Sequence, residues 1–178
     1  MIITISGRAA SGKSSVARIV AEKLGYRHYS AGDMQRELAR ERGLTITELG
    51  ILEQKDDKLD KLIDDKIRKL CDASDLLVID AWLAPMSAPK SFRIFLQADE
   101  DSRVRRKLGC KRDEENLNDF ESAKLDMHLR EQANRERWIR YYNFDFLDLK
   151  NYDCVIDTTN LTMEQVVQAV LDEVAKRS

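Results

Sequence analysis

Residues 7–15 read Gly7 Arg8 Ala9 Ala10 Ser11 Gly12 Lys13 Ser14 Ser15, preceded by the strand-like run Ile2 Ile3 Thr4 Ile5 Ser6 and followed by Val16, Ile19, Val20 and Leu24 at helical spacing. A strand, a glycine-bounded loop and a helix in this order make the P-loop arrangement G-x-x-x-x-G-K-[ST]. Gly7 and Gly12 let the backbone turn sharply, so that successive N–H groups face the α- and β-phosphates of a nucleoside triphosphate from a helix N-terminus. Lys13 is expected to reach the β- and γ-phosphates as a point charge, and the Ser14 hydroxyl to hold Mg²⁺. A chance Gly/Ser turn would explain neither the β-branched strand before the loop nor the periodic apolar residues after it.

The rest of the chain suits one α/β domain, because 178 residues of which 43% are apolar can fill a single core. A formal charge of −2 gives no bulk electrostatic reason to expect a nucleic acid or a membrane surface as partner, so any basic site has to be local. Cys71, Cys110 and Cys154 are far apart and lack metal-ligand spacing. They are expected as small buried side chains in a reducing compartment, not as zinc ligands. The first strand follows no signal-type apolar run and no stretch reaches membrane-spanning length, which leads to the expectation of a soluble, cytoplasmic protein.

Strand-like runs at 2–6, 26–29, 75–80, 92–97 and 153–157 alternate with helical segments at about 13–24, 33–42, 45–53, 56–72, 100–109, 114–141 and 162–176. That alternation predicts a three-layer α/β sandwich around a central, mainly parallel five-stranded sheet. The longest helical segment is long enough to break or bend. Pro85 and Pro89 bracket a connection after the third strand, where ligand loops of open sheets gather. That strand, Leu76 Leu77 Val78 Ile79 Asp80, ends in a carboxylate. Beside a P-loop, Asp80 is the second candidate for holding Mg²⁺, directly or through water.

Basic residues concentrate after the fourth strand, at Arg103, Arg105, Arg106, Lys107, Lys111 and Arg112, and further on at Arg130, Arg135, Arg137 and Arg140, with Arg36 standing apart. Phosphoryl transfer spreads negative charge over the transferred group, and convergent cations answer that demand. Arg105, Arg135 and Arg140 read instead as parts of solvated, ion-paired helix faces. Residues 107–118, charged and containing Gly109, form the candidate lid that would close to exclude water. His28 is expected to be packed or hydrogen-bonded in its strand, and His128 solvated. The spacing of Trp138, Tyr141, Tyr142, Phe144 and Phe146 favours core packing or a helix-end anchor over base stacking.

Several of these segments together resemble the cytidylate kinase-like branch of the nucleoside monophosphate kinases, especially its short archaeal-type members. The likeness spans nearly the whole chain. Besides residues 7–15 it includes Ser30 Ala31 Gly32 Asp33 Met34 Gln35 Arg36, which looks like the S-x-G-x-x-x-R acceptor-side segment. By that resemblance Ala31 and Arg36 belong to the acceptor site, within an acceptor-side helical region at about 30–72. Phe95 Leu96 Gln97 Ala98 with Arg103 and Arg106 is similar to the family's F-L-x-A strand and paired lid-edge arginines, which reach the donor nucleotide. Arg130, Asn134 and Arg137 stand at the spacing R-x-x-x-D-x-x-R, whose arginines hold phosphates and whose acid helps to read cytosine. Residues 153–161, Asp153 to Leu161, resemble the last strand and the turn near the donor adenine. The resemblance implies ATP and Mg²⁺ as co-substrate and metal, a pyrimidine monophosphate as acceptor, and a cytoplasmic transferase. Lys13, Arg103, Arg106, Arg130 and Arg137 would carry catalysis by in-line transfer, with positioning supplying most of the rate.

Two positions depart from the pattern: Asp80 Ala81 Trp82 replaces the family's acid, Gly and Arg, and Asn134 replaces its acid. Three readings therefore stand at this point: a CMP or dCMP kinase, a kinase acting on another small acceptor, and a P-loop ATPase working with an RNA or protein partner.

Overall fold

A computed structural model describes residues 1–55, 57–109 and 119–177. Lys111 and Arg112, Cys110 and most of the candidate lid lie outside the described residues. The strands are β1 (Ile2–Gly7), β2 (Arg27–Ser30), β3 (Leu77–Asp80), β4 (Phe92–Gln97) and β5 (Cys154–Asp157). They form one sheet in the order β2-β3-β1-β4-β5, and every pairing is parallel. The helices are α1 (Lys13–Leu24), α2 (Ala31–Glu41), α3 (Ile46–Leu52), α4 (Lys58–Ala73), α5 (Ala84–Ser87), α6 (Glu100–Gly109), α7 (Phe120–Tyr142) and α8 (Met163–Ala175). The predicted three-layer α/β architecture is therefore present. The strand read as 26–29 begins one residue later, and α7 runs unbroken over its described length. A short helix, α5, occupies the connection bracketed by the prolines.

Alternation along the strands explains the layers. Ile3 and Ile5 of β1, Val78 of β3 and Ile94 and Leu96 of β4 pack against Val16 and Val20 of α1 and Val167 and Val170 of α8. On the opposite face Leu77 and Ile79 meet Leu49, Leu59, Ile63 and Ile67 from α3 and α4. The two buried hydroxyls of β1 are satisfied, as burial requires. Thr4 Oγ1 pairs with Ser91 Oγ at 3.0 Å, and Ser6 Oγ donates to the Ala81 carbonyl at 2.6 Å. A third cluster joins α6, α7 and the loops at the sheet's carboxyl end through Trp82, Val104, Met127, Trp138 and Phe146. Trp138 and Phe146 are thus core residues, while Tyr141 remains exposed.

One of the sequence expectations changes. Cys71 and Cys154 are half-buried, not buried. Cys154 belongs to an edge strand of the sheet with alternating partial exposure, and Cys71 lies in the last turns of α4. Among the described residues, no helix is long and apolar enough to cross a membrane.

Register brings chemistry to one edge. Ile5 of β1 and Ser30 of β2 both pair with Asp80 of β3, and Gly7 pairs with Leu96 of β4. The carboxyl ends of four strands therefore converge around the loop that follows β1.

Candidate active site

The loop between β1 and α1 carries unusual backbone. Gly7, Ala10 and Gly12 have φ of 153°, 60° and 90°. A Cβ on Gly7 would lie 2.4 Å from the Leu96 carbonyl oxygen, so glycine is required there by close approach as well as by φ. Ala10 adopts the left-handed conformation without glycine's freedom, which costs on the order of 1 kcal/mol or more. Gly12 caps α1 without any side-chain hydrogen bond, whereas Ser30, Thr45, Asp119 and Thr162 cap α2, α3, α7 and α8 with their side chains. The first amides of α1 thus face a cleft with no carboxylate or hydroxyl cap upon them, the arrangement that favours an anion.

That cleft has a cavity volume of about 350 Å³ and is lined by Ala9, Ala10, Gly12, Lys13, Ser14 and Ser15, with Arg36, Arg106 and Arg130 around it. A narrower pocket of about 30 Å³ adjoins it, and Lys13, Gly32 and Arg130 line both. Its remaining wall includes Ala31, Gln35, Asp60, Trp82 and Trp138.

Lys13 is half-buried, and its ammonium sits 5.1 Å from the centroid of the Trp82 ring. Desolvation, then the nearby charge of Arg130, pushes its pKa down to about 7, with Arg36 adding to the effect and Asp80 and Glu131 opposing it. Arg130 packs its guanidinium 4.8 Å from the same ring centroid. Trp82 is itself buried, stacks on Phe146 at 5.1 Å and donates its indole N–H to the Gly7 carbonyl. The position where an arginine was missed in sequence therefore carries an aromatic platform for two cations, held against the loop by a hydrogen bond.

The expected metal pair is adjacent. Ser14 Oγ donates to Asp80 Oδ2 at 2.5 Å, and Ser30 Oγ reaches the same oxygen at 3.1 Å. His28 Nε2 lies 2.7 Å from Asp80 Oδ1, so this histidine is hydrogen-bonded as expected and fixes the carboxylate's plane. Oxygen donors from a hydroxyl and a carboxylate beside an uncapped helix terminus suit a hard divalent cation with retained waters.

The arginines divide into two groups. Arg36, Arg106 and Arg130 line the cleft. Arg36 is ion-paired with Asp33 in the first turn of α2, and Arg106 donates to Thr158 Oγ1 at 2.9 Å and to its carbonyl. Arg103 and Arg137, expected at the phosphates, are placed elsewhere. Arg103 is 1% exposed and donates to the Ala9 carbonyl at 3.2 Å and to Glu131 at 2.9 Å. Arg137 makes four hydrogen bonds: it holds both Asp60 oxygens at 2.6 and 3.0 Å, the Gly50 carbonyl at 3.0 Å and Asn134 Oδ1 at 2.8 Å. Asn134 turns its amide back to the Arg130 carbonyl and lines neither cavity. The physical reason is the same in both cases: a guanidinium buried in a core takes the nearest carboxylate. Arg135 pairs with Asp145 on the exposed face, as its spacing suggested. His128 bonds Glu100 at the surface.

Glu131 and Asp60 were missed in sequence. Each left a readable signal, since Glu131 falls on the buried stripe Ala123, Met127, Asn134, Trp138 of α7, and Asp60 on the stripe with Ile63 and Ile67 of α4. A carboxylate on such a stripe needs a cation.

A profile of the cytidylate kinase-like family matches residues 2–160. A cytidylate kinase of Haloarcula marismortui is 36% identical over 180 residues, covering 100% of this chain and 91% of that protein. A cytidylate kinase of Sulfolobus acidocaldarius is 36% identical over 182 residues, covering 100% of this chain and 96% of that protein. Among solved structures, a shikimate kinase from Bacteroides thetaiotaomicron superposes with a TM-score of 0.66 at 15% identity over 98% of both chains, a likeness of fold.

Proposed function

This chain belongs to the cytidylate kinase-like family and is a nucleoside monophosphate kinase, and from that premise we propose that it transfers the γ-phosphoryl group of Mg·ATP to CMP or dCMP. The observation that carries the reading is the shared wall: Lys13 and Arg130 line both the loop cleft and the pocket beside it. Anions seated in the two cavities would rest against the same two cations, with positive charge beside the transferred group and the line between acceptor oxygen and γ-phosphorus left open, as in-line transfer requires.

In this reading residues 7–15 hold the triphosphate by their amides, and Ser14 and Asp80 would hold Mg²⁺, which when bound would supply neutralising charge for the donor phosphates. Lys13 and Arg130 neutralise the transferred group, Arg106 closes the donor side, Ala31 lines the acceptor pocket, and Arg36 reaches the acceptor's phosphate from the cleft side, where Gly32 borders both cavities. Arg103, Arg137 and Asn134 act through the residues they hold. No general base is required, because positioning and charge stabilisation supply the rate. The narrow acceptor pocket has room for about one water, so the helices around it must separate to admit a nucleotide.

The test is ADP formation with a panel of nucleoside monophosphates and other small phosphate acceptors. CMP or dCMP is expected to raise the rate far above that with ATP alone. Turnover of another metabolite with none of the monophosphates would reject the nucleotide acceptor. Acceptor-independent hydrolysis would favour an ATPase.

Lys13 gives a pH signature. Its depressed pKa of about 7 leaves the lysine partly neutral around neutral pH, and a phosphate beside it favours the charged form. Binding therefore takes up protons, and affinity falls as pH rises from about 7 toward the higher pKa of the occupied site. Calorimetry of ATP binding in buffers of different ionisation enthalpy is expected to show this uptake. Lys13→Arg, charged throughout, is expected to lose it. Equal uptake in both proteins would remove Lys13 as its source.

A further inference from the structure

Glu131 makes a set of contacts that the transfer itself does not require. One carboxylate oxygen accepts the Ala9 backbone N–H at 2.8 Å and Arg103 Nη1–H at 2.9 Å, while the other accepts Arg8 Nε–H at 3.0 Å and is ion-paired with Arg8 Nη2 at 3.0 Å. Arg103 also donates to the Ala9 carbonyl. Both sides of the Ala9 residue are thus clamped by one ion pair, immediately before Ala10 with its φ of 60°. Glu131 is 4% exposed and sits next to Arg130, so the clamp joins the loop to the helix whose arginine faces both cavities.

We propose that Glu131 is a positioning residue that fixes the opening turn of the P-loop and holds it in register with Arg130, so that donor-phosphate affinity depends on a carboxylate on α7. The proposal rests on the kinase reading above. A neutral amide at this position can still accept the Ala9 N–H, but it loses the charge that holds Arg8 and Arg103. Arg8 then loses its partner, Arg103 keeps only its bond to the Ala9 carbonyl and is buried without a counter-charge, and the left-handed turn at Ala10 loses part of its support.

The experiment is a titration of each protein with a fluorescent ATP analogue and Mg²⁺, without acceptor, using wild type, Glu131→Gln, Glu131→Ala and the surface control Glu136→Gln. Glu136 bonds Gln132 on the exposed face of the same helix. Glu131→Ala is expected to weaken binding by about tenfold or more, with Glu131→Gln between it and wild type, and Glu136→Gln unchanged. A merely structural role would reduce the fraction of protein that binds, leaving the dissociation constant of that fraction as in wild type. Glu131→Gln and Glu131→Ala with wild-type dissociation constants overturn the proposal, whether or not amplitude is lost. A wild-type chain that does not bind the analogue overturns the kinase reading instead, and the clamp's role with it.

Discussion

Lys13→Ala is expected to lower kcat/KM for phosphoryl transfer by about 10³-fold while leaving the thermal midpoint unchanged or raised. The two effects have one cause. The ammonium is partly desolvated beside Arg130, and that desolvation and the repulsion oppose folding as long as no anion is present. Alanine removes both costs. It also removes one of the two cations that line both cavities, leaving Arg130 alone on the Trp82 ring they share. Steady-state kinetics with the acceptor identified by the panel, together with thermal unfolding of the same preparations, measures both quantities. Activity within about tenfold of wild type would mean that the loop amides and the arginines suffice, and the role given to Lys13 would fall.

The sheet and its flanking helices were legible because each element satisfies a local rule. β1 alternates apolar and hydroxyl residues, α1 carries its apolar stripe at 16, 20 and 24, and β3 places its carboxylate one residue past the last apolar position. The pairing of Ser14 with Asp80 followed from those same local patterns. Strand order did not, because nothing in β2 or β5 alone says which edge of β1 each approaches.

The arginines mark the limit more sharply. A motif fixes spacing along a helix but not which partner a guanidinium meets, and the choice between a phosphate and a carboxylate depends on chain segments far away in sequence. Asp60 lies 77 positions from Arg137, and Glu131 lies 28 from Arg103. Trp82 shows the same effect in the other direction. Read as a missing arginine, it is a lost charge; in the fold it becomes the surface on which Lys13 and Arg130 rest.

Arg137→Ala is expected to destabilise the fold by about 3–5 kcal/mol, a fall of roughly 10 °C in thermal midpoint for a chain of this size. The side chains of Arg137 and Asp60 are 0% and 2% exposed, so removing the arginine leaves a carboxylate buried without its counter-charge and the Gly50 carbonyl without its donor. Replacing both partners with apolar residues, Arg137→Met with Asp60→Leu, removes the stranded charge and is expected to recover most of the loss. That recovery separates two meanings of the same residue. If Arg137 serves by holding Asp60 and the turn at Gly50, the double variant regains stability, and its KM for the acceptor is no higher than that of Asp60→Leu alone, which alters the same pocket wall. If its guanidinium leaves Asp60 to grip a phosphate during turnover, the double variant regains stability but keeps a KM above that of Asp60→Leu, since methionine offers no donor. Thermal unfolding and acceptor titration of the single and double variants decide between them. The four hydrogen bonds already made by Arg137 favour the first outcome, because a phosphate would have to displace a bidentate carboxylate in a site closed to water.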